Sequence, residues 1–362
     1  MRLGIVTTSY PRYAGDPAGN FVAGHAAALR ELGHEVEVVA AGDPRRAAAG
    51  GPPAYRIDSR LFYRGGAPDA FERHPVRAAA AAAVFTARLT VGIAARAARW
   101  DAIIAHWLVP SALAALPAAA PLLAIAHGGD VFTLRRLGLL GAVLAALQRR
   151  GARLAFVSEP LRRIAQDAAP ALASWLAGAQ IQPMGIDVAR FAALRRAPID
   201  PPTVLVVARP VPIKGVDVAI AAMRHASPAA HLVIAGDGPQ RARLAALPGG
   251  HAVLGEVTTE RRDELLATAS VVVIPSRVLP RGRTEGAPLV ALEALAAGVP
   301  VVASAVGGLC EVPGVRLVGP DDPRALAVAI DEILAHPPAP EALRGGVTHL
   351  DWREVAGRLL RE

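Results

Sequence analysis

The feature of this 362-residue sequence that most constrains its fold is an alternation of short apolar runs with longer stretches rich in alanine and leucine. Runs that are apolar throughout indicate strands buried on both faces, as in parallel sheets covered by helices. Regular alternation of strand and helix is typical of doubly wound α/β folds. The predicted strands are Leu3–Thr7, Val36–Ala40, Ala102–Ala105, Leu122–Ala126, Leu154–Val157, Ile181–Gln182, Val204–Val207, Leu232–Ala235, Ala252–Leu254, Val271–Ile274, Val301–Ala303 and Val315–Val318.

The strand pattern begins again near residue 203, after the segment "APIDPP" at Ala197–Pro202, which has the composition of a linker. A chain of this length exceeds one ordinary hydrophobic core. We therefore predict two Rossmann-like domains, 1–196 and 197–340, followed by a helical segment, 341–362, that can pack back on the first domain. In sheets of this kind ligands bind beyond the carboxyl ends of the strands.

Composition excludes several classes of protein. Hydrophobic residues make up 53% and charged residues 19% of the chain, which excludes intrinsic disorder. A single cysteine excludes a disulfide scaffold and a cysteine-based metal cluster. Aromatic residues make up only 4%, which argues against a stacking platform for nucleic acid. We expect no nucleic-acid partner.

Residues 102–129 carry no Asp, Glu, Lys or Arg, a length that invites a membrane-spanning interpretation. Three prolines, Pro110, Pro117 and Pro121, interrupt the run. It is better interpreted as a strand, a short helix at Ser111–Ala120 and a second strand. Because the first residues also lack the pattern of a secretory signal peptide, we expect a cytoplasmic protein.

The segment "VLVVARPVPIKGVDVAI" places two cations just after a predicted strand and before a helix. Arg209 offers a planar fork that grips phosphate oxygens, and Lys214 offers a compact ammonium. Lys214 is the only lysine among 39 basic residues, which suggests a position where a guanidinium does not fit. The pattern predicts a phosphate site, and an ordinary charged loop is the alternative.

The segment "TEGAPLVALEALAAGVPVVAS" predicts a loop carrying Glu285 and a helix opened by Pro288. Glu293 lies in that helix and is the only charged residue between Gly286 and Cys310. A carboxylate among apolar neighbours needs a hydrogen-bond donor, and sugar hydroxyls are suitable donors. Pairing of Glu293 with an arginine is the structural alternative.

Two further strand ends carry weaker signals. Gly236 in "IAGDGP" lets the backbone approach a ligand, but a tight turn between strand and helix needs the same residue. His127 in "HGGD" follows the predicted strand Leu122–Ala126. An imidazole at a strand end can bind a sugar hydroxyl, although a lone histidine there is more often structural. Both interpretations of each residue remain open at this point.

Several motifs are absent from the sequence: the first strand is not followed by G-x-G-x-x-G, and there is no P-loop, no G-x-S-x-G and no H-E-x-x-H. The pair Asp321–Asp322 precedes a proline and a predicted helix, so we interpret it as a helix cap rather than a metal site. We expect no metal and no other cofactor. An NAD-dependent oxidoreductase is the alternative from another enzyme class, and the missing glycine motif counts against it.

Taken in order, the motifs resemble those of the retaining GT-B glycosyltransferases of family four (glycosyl transferases group 1). The strongest match is Glu285–x7–Glu293 in "EGAPLVALEALAAGVPVVASAVGGLCE". It is joined by "HGGD", "MGIDVARF", "VARPVPIKGVDVAI", "IAGDGP", "VLGEV" and "VVVIPS", together with the opening "TTSYPR…GNF" and the closing "DWREVAGRLL". The resemblance covers nearly the whole chain and implies two Rossmann-like domains that face each other across a cleft.

The resemblance also implies roles for residues. Arg209 and Lys214 would hold the diphosphate of a sugar nucleotide and stabilise the departing nucleoside diphosphate. Glu293 would bind the ribose, Glu285 the donor sugar, and His127 the sugar near its anomeric carbon. The remaining implied donor-binding positions are Gly19, Gly236, Gly255, Val257, Gly286, Ala287, Pro288 and Leu289. Cys310, where the family often has proline, is interpreted as a small buried residue.

The implied reaction is transfer of a sugar, with retention and without a metal, to a glycan, lipid-linked or small-molecule acceptor bound by the N-terminal domain. A sugar-nucleotide-binding protein without turnover is the other alternative. The net charge of +8 lies entirely within residues 1–190, and "RLFYRGG" and "HPVRAAAAAAVFTARLTVGIAARAARW" set arginines beside apolar residues. These segments suggest peripheral contact with an anionic membrane, or else a buried helix whose arginines point to water.

Overall fold

The computed structural model describes residues 1–43, 50–62, 67–226 and 230–361, and these form two compact units. The first unit contains Met1–Gly185 and Trp352–Glu362, and the second contains Ile186–Asp351. The change of unit thus comes before the proline-rich segment that suggested a boundary at 196/197. The reason is local pairing, since the Ile186 N–H donates to the Leu350 carbonyl at 2.9 Å and Ile186 forms a parallel bridge with Asp351.

The first unit is built on a sheet of seven strands in which every pairing is parallel. The strands are β1 Arg2–Thr7, β2 Glu35–Gly42, β3 Tyr55–Asp58, β4 Ala102–His106, β5 Leu122–Ala126, β6 Arg153–Phe156 and β7 Gln180–Ile181, in the spatial order β3-β2-β1-β4-β5-β6-β7. Its helices are α1 Asn20–Glu31, α2 Ala67–Arg73, α3 Pro75–Ala97, α4 Leu113–Ala115, α5 Gly129–Arg136, α6 Leu140–Arg149, α7 Glu159–Ala168 and α8 Ala173–Ala177.

The second unit repeats the plan with six parallel strands. The strands are β8 Thr203–Val207, β9 His231–Ala235, β10 His251–Gly255, β11 Val271–Ile274, β12 Val301–Ser304 and β13 Arg316–Val318, in the spatial order β10-β9-β8-β11-β12-β13. The helices are α9 Val188–Ala192, α10 Val216–Ala222, α11 Arg241–Ala245, α12 Thr259–Thr268, α13 Leu289–Ala296, α14 Pro323–Ala335 and α15 Pro340–Gly345.

The sequence prediction of the strands is confirmed with ends that move by one or two residues, and the structure adds β3. This strand was not predicted because it is short and edge-placed, and only Ile57 of its four residues is buried. The fold class is confirmed as well, because both sheets reverse their strand order in the doubly wound manner. The reversal lies between β1 and β4 in the first unit and between β8 and β11 in the second.

Two local predictions are wrong. The helix expected at Ser111–Ala120 is an irregular turn at Leu108–Ala112 that continues into α4, and it ends before Pro117, which has no N–H to continue the helical hydrogen bonds. Cys310 is exposed rather than buried. It lies in the short helical segment Gly307–Glu311, whose Gly308 and Leu309 face the interior.

The helix α3 is the one described helix that is long and apolar enough to cross a membrane by length and composition. Phe85, Leu89 and Ile93 bury one face of it, and Arg77 and Arg88 are exposed, so part of the helix matches the alternative of a buried helix whose arginines point to water. The opposite face is apolar and exposed, with Val76 at 81% and Val91 at 70% of full exposure. Residues 102–129, by contrast, form β4, short helical turns and β5, as expected.

The last helix, α16 at Trp352–Arg361, belongs to the first unit and packs against α1. Trp352 is the contact point. Its indole lies against Gly24 of α1 and against Gly185, and a Cβ at either glycine would overlap the ring. The indole also stacks on His25, with ring centroids 5.5 Å apart and planes within 9°. Because Gly24 and Gly185 have no side chain, the indole of Trp352 fits between them.

This packing predicts opposite effects for two glycine substitutions in helices. Gly24→Ala should lower the unfolding midpoint in urea, because an overpacked site costs about 1–3 kcal/mol and exceeds the helix-propensity gain of about 1 kcal/mol. Gly357→Ala in α16 is the matched control, since its Cβ would meet only the mobile Arg361 guanidinium at 3.4 Å. It should be neutral or stabilising. Equal effects of the two substitutions would contradict the Trp352 packing.

Candidate functional site

Loops that follow neighbouring strands interlock at the carboxyl edge of the second sheet. Gly215, which ends the loop after β8, lies so close to the Pro275 carbonyl after β11 that a Cβ would overlap it. Gly307, after β12, makes the same approach to the carbonyl of Glu285. The Arg277 N–H donates to the Ile213 carbonyl at 2.9 Å. These backbone contacts fix the loops that carry the predicted phosphate and sugar residues.

Lys214 and Glu285, predicted separately from two motifs, form an ion pair in the structure. The Lys214 Nζ lies 2.8 Å from the Glu285 Oε1, and the Ser276 hydroxyl donates to the same oxygen at 2.8 Å. Glu285 is buried and Lys214 is half-buried. The second oxygen, Oε2, has no hydrogen bond to any residue in the described ranges. One side of the carboxylate is thus held by the protein, and the other is open to a ligand.

Arg209 and the glycine loops lie at the same edge. Arg209 is exposed and lies two residues after the end of β8. The Gly236 backbone lies against the Ala208 carbonyl, where a Cβ would overlap, and its N–H donates to the Gly255 carbonyl at 2.7 Å. Gly236 is therefore required for close packing between the ends of β8 and β9. Val257 lies two residues beyond Gly255, half-buried, ahead of α12.

The start of α13 brings the next group of predicted residues together. Pro288 caps the helix and Leu289 is its first residue, so Gly286 and Ala287 lie just ahead of the N-terminus, as the sequence predicted. The first amides of a helix have no partner within it and favour an anion. An anionic group placed there would find both these amides and the Glu285 loop.

Glu293 lies one turn into α13 and does pair with an arginine, the alternative that the sequence left open. The Arg262 Nη1 lies 3.3 Å from its Oε1. Burial raises the pKa of Glu293, and the positive charges of Arg262 and Arg190 act in the opposite direction. The Oε2 has no hydrogen bond to a described residue and remains available to hydroxyl donors. Arg262 was missed because nothing in its spacing from Glu293 marks the two as neighbours.

In the first unit, His127 follows β5 and Asp130 holds its turn. The Asp130 carboxylate accepts from the N–H groups of His127 at 3.1 Å, Gly128 at 2.9 Å, Val131 at 3.0 Å and Leu108 at 2.7 Å. Burial raises the pKa of Asp130, and these four hydrogen bonds act to lower it. Asp130 therefore ties the turn after β5 to the turn after β4. Its role was not predicted.

Two further histidines accompany His127. His106 ends β4 and His25 lies in α1, and all three imidazoles are hydrogen-bonded in series. Burial lowers the pKa of His25 to about 4 and of His127 to about 3, and lowers that of His106 well below its usual value. The signal for His106 was available, because β4 and β5 are neighbours, β4 ends in His106 and His127 directly follows β5. Gly19 lies at the start of α1, at φ 74°, against the Ser9 carbonyl.

The neutral imidazoles predict acid sensitivity. Below pH 6.5 the unfolded chain protonates histidines that the folded chain keeps neutral, so stability falls as pH is lowered towards about 4, by about 1.4 kcal/mol per pH unit for each imidazole. Thermal unfolding between pH 7 and 4.5 should show a shallower decline for His25→Phe than for the unaltered chain. Asp130 and Glu293 contribute the opposite pH dependence of stability, because burial raises their pKa values. Their contribution is the same in both proteins, so it cancels when the variant is compared with the unaltered chain.

The control for this measurement is His225→Phe, which removes an exposed histidine and should leave the decline as it is in the unaltered chain. A decline of the same steepness in all three proteins would show that His25 is protonated in the folded state.

Two doubly wound parallel sheets, with ligand groups at the carboxyl edges, define the GT-B class of fold. Residues 18–190 match the family model described as Glycosyltransferase Family 4, and residues 201–336 match the one described as Glycosyl transferases group 1. The two matches do not overlap and together cover most of the chain. The chain therefore belongs to the GT-B glycosyltransferases.

Similar proteins include the glycogen synthase of Mycobacterium tuberculosis, 38% identical over 192 residues that cover 48% of this chain and 45% of that protein. The putative teichuronic acid biosynthesis glycosyltransferase TuaC of Bacillus subtilis is 31% identical over 249 residues, 64% of this chain and 60% of TuaC. These matches span about half of each relative's length.

Two solved structures share the fold at low sequence identity. Sucrose-phosphate synthase of Thermosynechococcus elongatus has a TM-score of 0.74 and 22% identity, over 100% of this chain and 98% of that one. Anabaena HepE in complex with UDP-glucose has a TM-score of 0.67 and 17% identity, over 99% and 98% of the two chains.

Proposed function

We propose that this protein transfers a sugar from a nucleoside-diphosphate sugar to a hydroxyl of a glycan or lipid-linked acceptor, with retention of anomeric configuration and without a metal ion. The observation that carries the proposal is the Lys214–Glu285 pair, 2.8 Å apart at the point where the second sheet reverses its strand order. The complex of HepE with UDP-glucose supports a sugar nucleotide as the donor.

The pair has the chemistry that a sugar diphosphate requires. A lysine ammonium has three N–H donors, and Glu285 uses one of them. The remaining donors are free to meet diphosphate oxygens, while the open Glu285 oxygen accepts from sugar hydroxyls. Because Ser276 and Lys214 both fix this carboxylate, its orientation is set before the ligand binds. Arg209 and the amides at the start of α13 add further positive potential.

In the proposed reaction the bond from the anomeric carbon to the diphosphate oxygen breaks ahead of bond formation. The acceptor oxygen then bonds to the anomeric carbon on the same face, and its proton passes to the departing phosphate oxygen. The charge that develops on the leaving group is stabilised by Arg209 and Lys214, which removes the need for a metal. We assign Glu293 to the ribose hydroxyls and His127 to the donor sugar near its anomeric carbon.

Substitution of Lys214 tests the proposal. Lys214→Ala should lower the rate of nucleoside diphosphate release at least ~10²-fold, the effect of about 2.7 kcal/mol lost from the transition state. Lys214→Arg keeps the positive charge but puts a planar guanidinium at a half-buried position that holds a compact ammonium. It should therefore restore the rate only in part. Release measured with an acceptor present, with and without a chelator, should be chelator-independent.

The control for the loss of one positive charge is Arg324→Gln, which replaces an exposed arginine at the start of α14 and is measured in the same release assay. Unaltered release in Lys214→Ala would refute the assignment. Binding of sugar nucleotides in a thermal-shift panel, without release in the presence of any acceptor, would instead identify the non-catalytic alternative. Stabilisation by NAD alone would favour the oxidoreductase alternative, which the family matches disfavour.

For the acceptor side we propose peripheral contact with an anionic membrane through the exposed face of α3. This face carries Val76, Val84 and Val91 together with Arg77 and Arg88, and α3 contains no acidic residue. Arg96 is not part of it, since it pairs with Glu37 at 3.0 Å. An apolar face with only positive charges suits the surface of an anionic bilayer. The proposed place of action is the cytoplasmic face of the cell membrane.

The other segment suggested for this contact, "RLFYRGG", falls largely on residues 63–66, which lie outside the described residues, so the proposal rests on α3 alone.

Vesicle co-sedimentation tests this contact. The protein should sediment with vesicles rich in anionic lipid, less with zwitterionic vesicles, and less as salt is raised. Arg77→Gln with Arg88→Gln should reduce binding several-fold, because each basic residue near such a surface contributes about 1 kcal/mol. The charge-matched control is Arg224→Gln with Arg324→Gln, both exposed in the second unit. Binding that ignores lipid charge and salt would contradict the contact.

A further inference from the structure

Two buried imidazoles, His25 and His106, and the half-buried imidazole of His127 form one continuous hydrogen-bonded chain in the first unit. The His25 Nδ1 lies 3.1 Å from the His106 Nε2, and the His106 Nδ1 lies 3.0 Å from the His127 Nε2. Each ring comes from a different element: α1, the last residue of β4, and the turn after β5. The chain therefore joins a helix interior to the residue that we assign to the donor sugar.

All three rings are neutral at physiological pH. Burial lowers the pKa of His25 to about 4 and of His127 to about 3, and the neighbouring imidazoles add to the lowering for His106. The carboxylate of Asp130, three residues beyond His127, accepts from four backbone N–H groups and makes no bond to an imidazole. Each ring consequently carries one N–H and one bare nitrogen.

The connectivity of the chain couples the three tautomers. Each hydrogen bond joins an Nδ1 to an Nε2 and contains one proton. The middle ring uses both nitrogens, so it must donate through one and accept through the other. If His106 donates from Nδ1, then His25 donates from Nδ1 and His127 accepts at Nε2. If the direction is reversed, every ring carries its proton on Nε2. The three imidazoles must therefore share one tautomer.

The inner end of the chain decides between the two directions. The His25 Nε2 is buried, and none of the residues that the structure describes forms a hydrogen bond with it. Trp352 covers the face of the ring rather than its edge, so the indole supplies no acceptor in the ring plane. In the second direction this atom would be a buried N–H without an acceptor, the kind of group that folded proteins most avoid. The first direction leaves a bare nitrogen there and places N–H on the Nδ1 of each ring.

We propose that His25 and His106 are positioning residues that lock His127 in the Nδ1–H tautomer, so that its outer nitrogen presents a hydrogen-bond donor to an oxygen of the donor sugar. This ligand role rests on the proposed function, whereas the shared tautomer rests on the geometry alone. It follows that His127 does not take a proton from the acceptor hydroxyl, because its one bare nitrogen already accepts from His106. The proton goes instead to the leaving phosphate, in keeping with the proposed reaction.

The tautomers can be read directly in the full chain without any substrate. With ¹⁵N-labelled histidine, the long-range proton–nitrogen spectrum separates Nδ1–H from Nε2–H rings, and His25→Phe, His106→Phe and His127→Phe assign the signals. The expected result is three neutral Nδ1–H rings between pH 6 and 8. Unlike tautomers among the three would overturn the coupling, and three Nε2–H rings would overturn the donor role.

Variants of His25 test whether the chain matters for catalysis. His25→Phe keeps an aromatic ring against Trp352 but removes the bond to His106, so His106 and His127 should show mixed tautomers. The rate constant kcat should fall about tenfold, with little change in KM for the donor. His25→Asn places an amide where Nδ1 lies and should restore a single tautomer and most of the rate. His225→Phe, at an exposed histidine, is the control.

These outcomes separate the two proposals. Mixed tautomers in His25→Phe with an unaltered kcat would overturn the positioning role and leave sugar transfer intact. A uniform Nδ1–H tautomer in a protein that releases no nucleoside diphosphate would support the lock and overturn the proposed function. If His25→Phe does not fold, the wild-type spectrum alone still decides the tautomer.

Discussion

Parallel strands impose one constraint on which the rest of this molecule depends: every strand in a sheet ends at the same edge. Residues that are distant in sequence meet there because each follows its own strand. Lys214 and Glu285 come from loops after β8 and β11, the pair between which the strand order reverses, and their side chains lie 2.8 Å apart. In the first unit the same constraint brings the ends of β4 and β5 together with His106 and His127.

The fold and half of the candidate site follow from local sequence patterns. Apolar runs locate all but one strand. Lys214 is marked as the only lysine, Glu293 by the scarcity of charge around it, and Glu285 by the Glu285–x7–Glu293 motif. The residues that contact these side chains could not be predicted in this way. Ser276, Arg262 and His25 act through tertiary contacts that no spacing encodes, and α3 could be identified as half-exposed only once its packing against the sheet was known.

The candidate site residues of the two units are held in different ways. The second unit pairs charges, Lys214 with Glu285 and Arg262 with Glu293, and leaves one oxygen of each carboxylate open. Taking such pairs out of water carries a desolvation cost, which a ligand that completes their hydrogen bonding would reduce. The first unit buries neutral imidazoles in series, which avoids the charge penalty and gains a fixed order of donors and acceptors. In the proposed reaction, the positive charge of Lys214 would bind the diphosphate, and the fixed imidazole donor would bind a sugar hydroxyl.

Trp352 gives the first unit a dependence on the far end of the chain. The indole that covers His25 is separated from Gly185 by the whole of the second unit, Ile186–Asp351. During synthesis the ribosome needs roughly 10–30 s to make that intervening segment. For that interval the nascent N-terminal sheet lacks the ring that completes its interior. The second unit, by contrast, is one continuous segment and is complete as soon as Asp351 has been made.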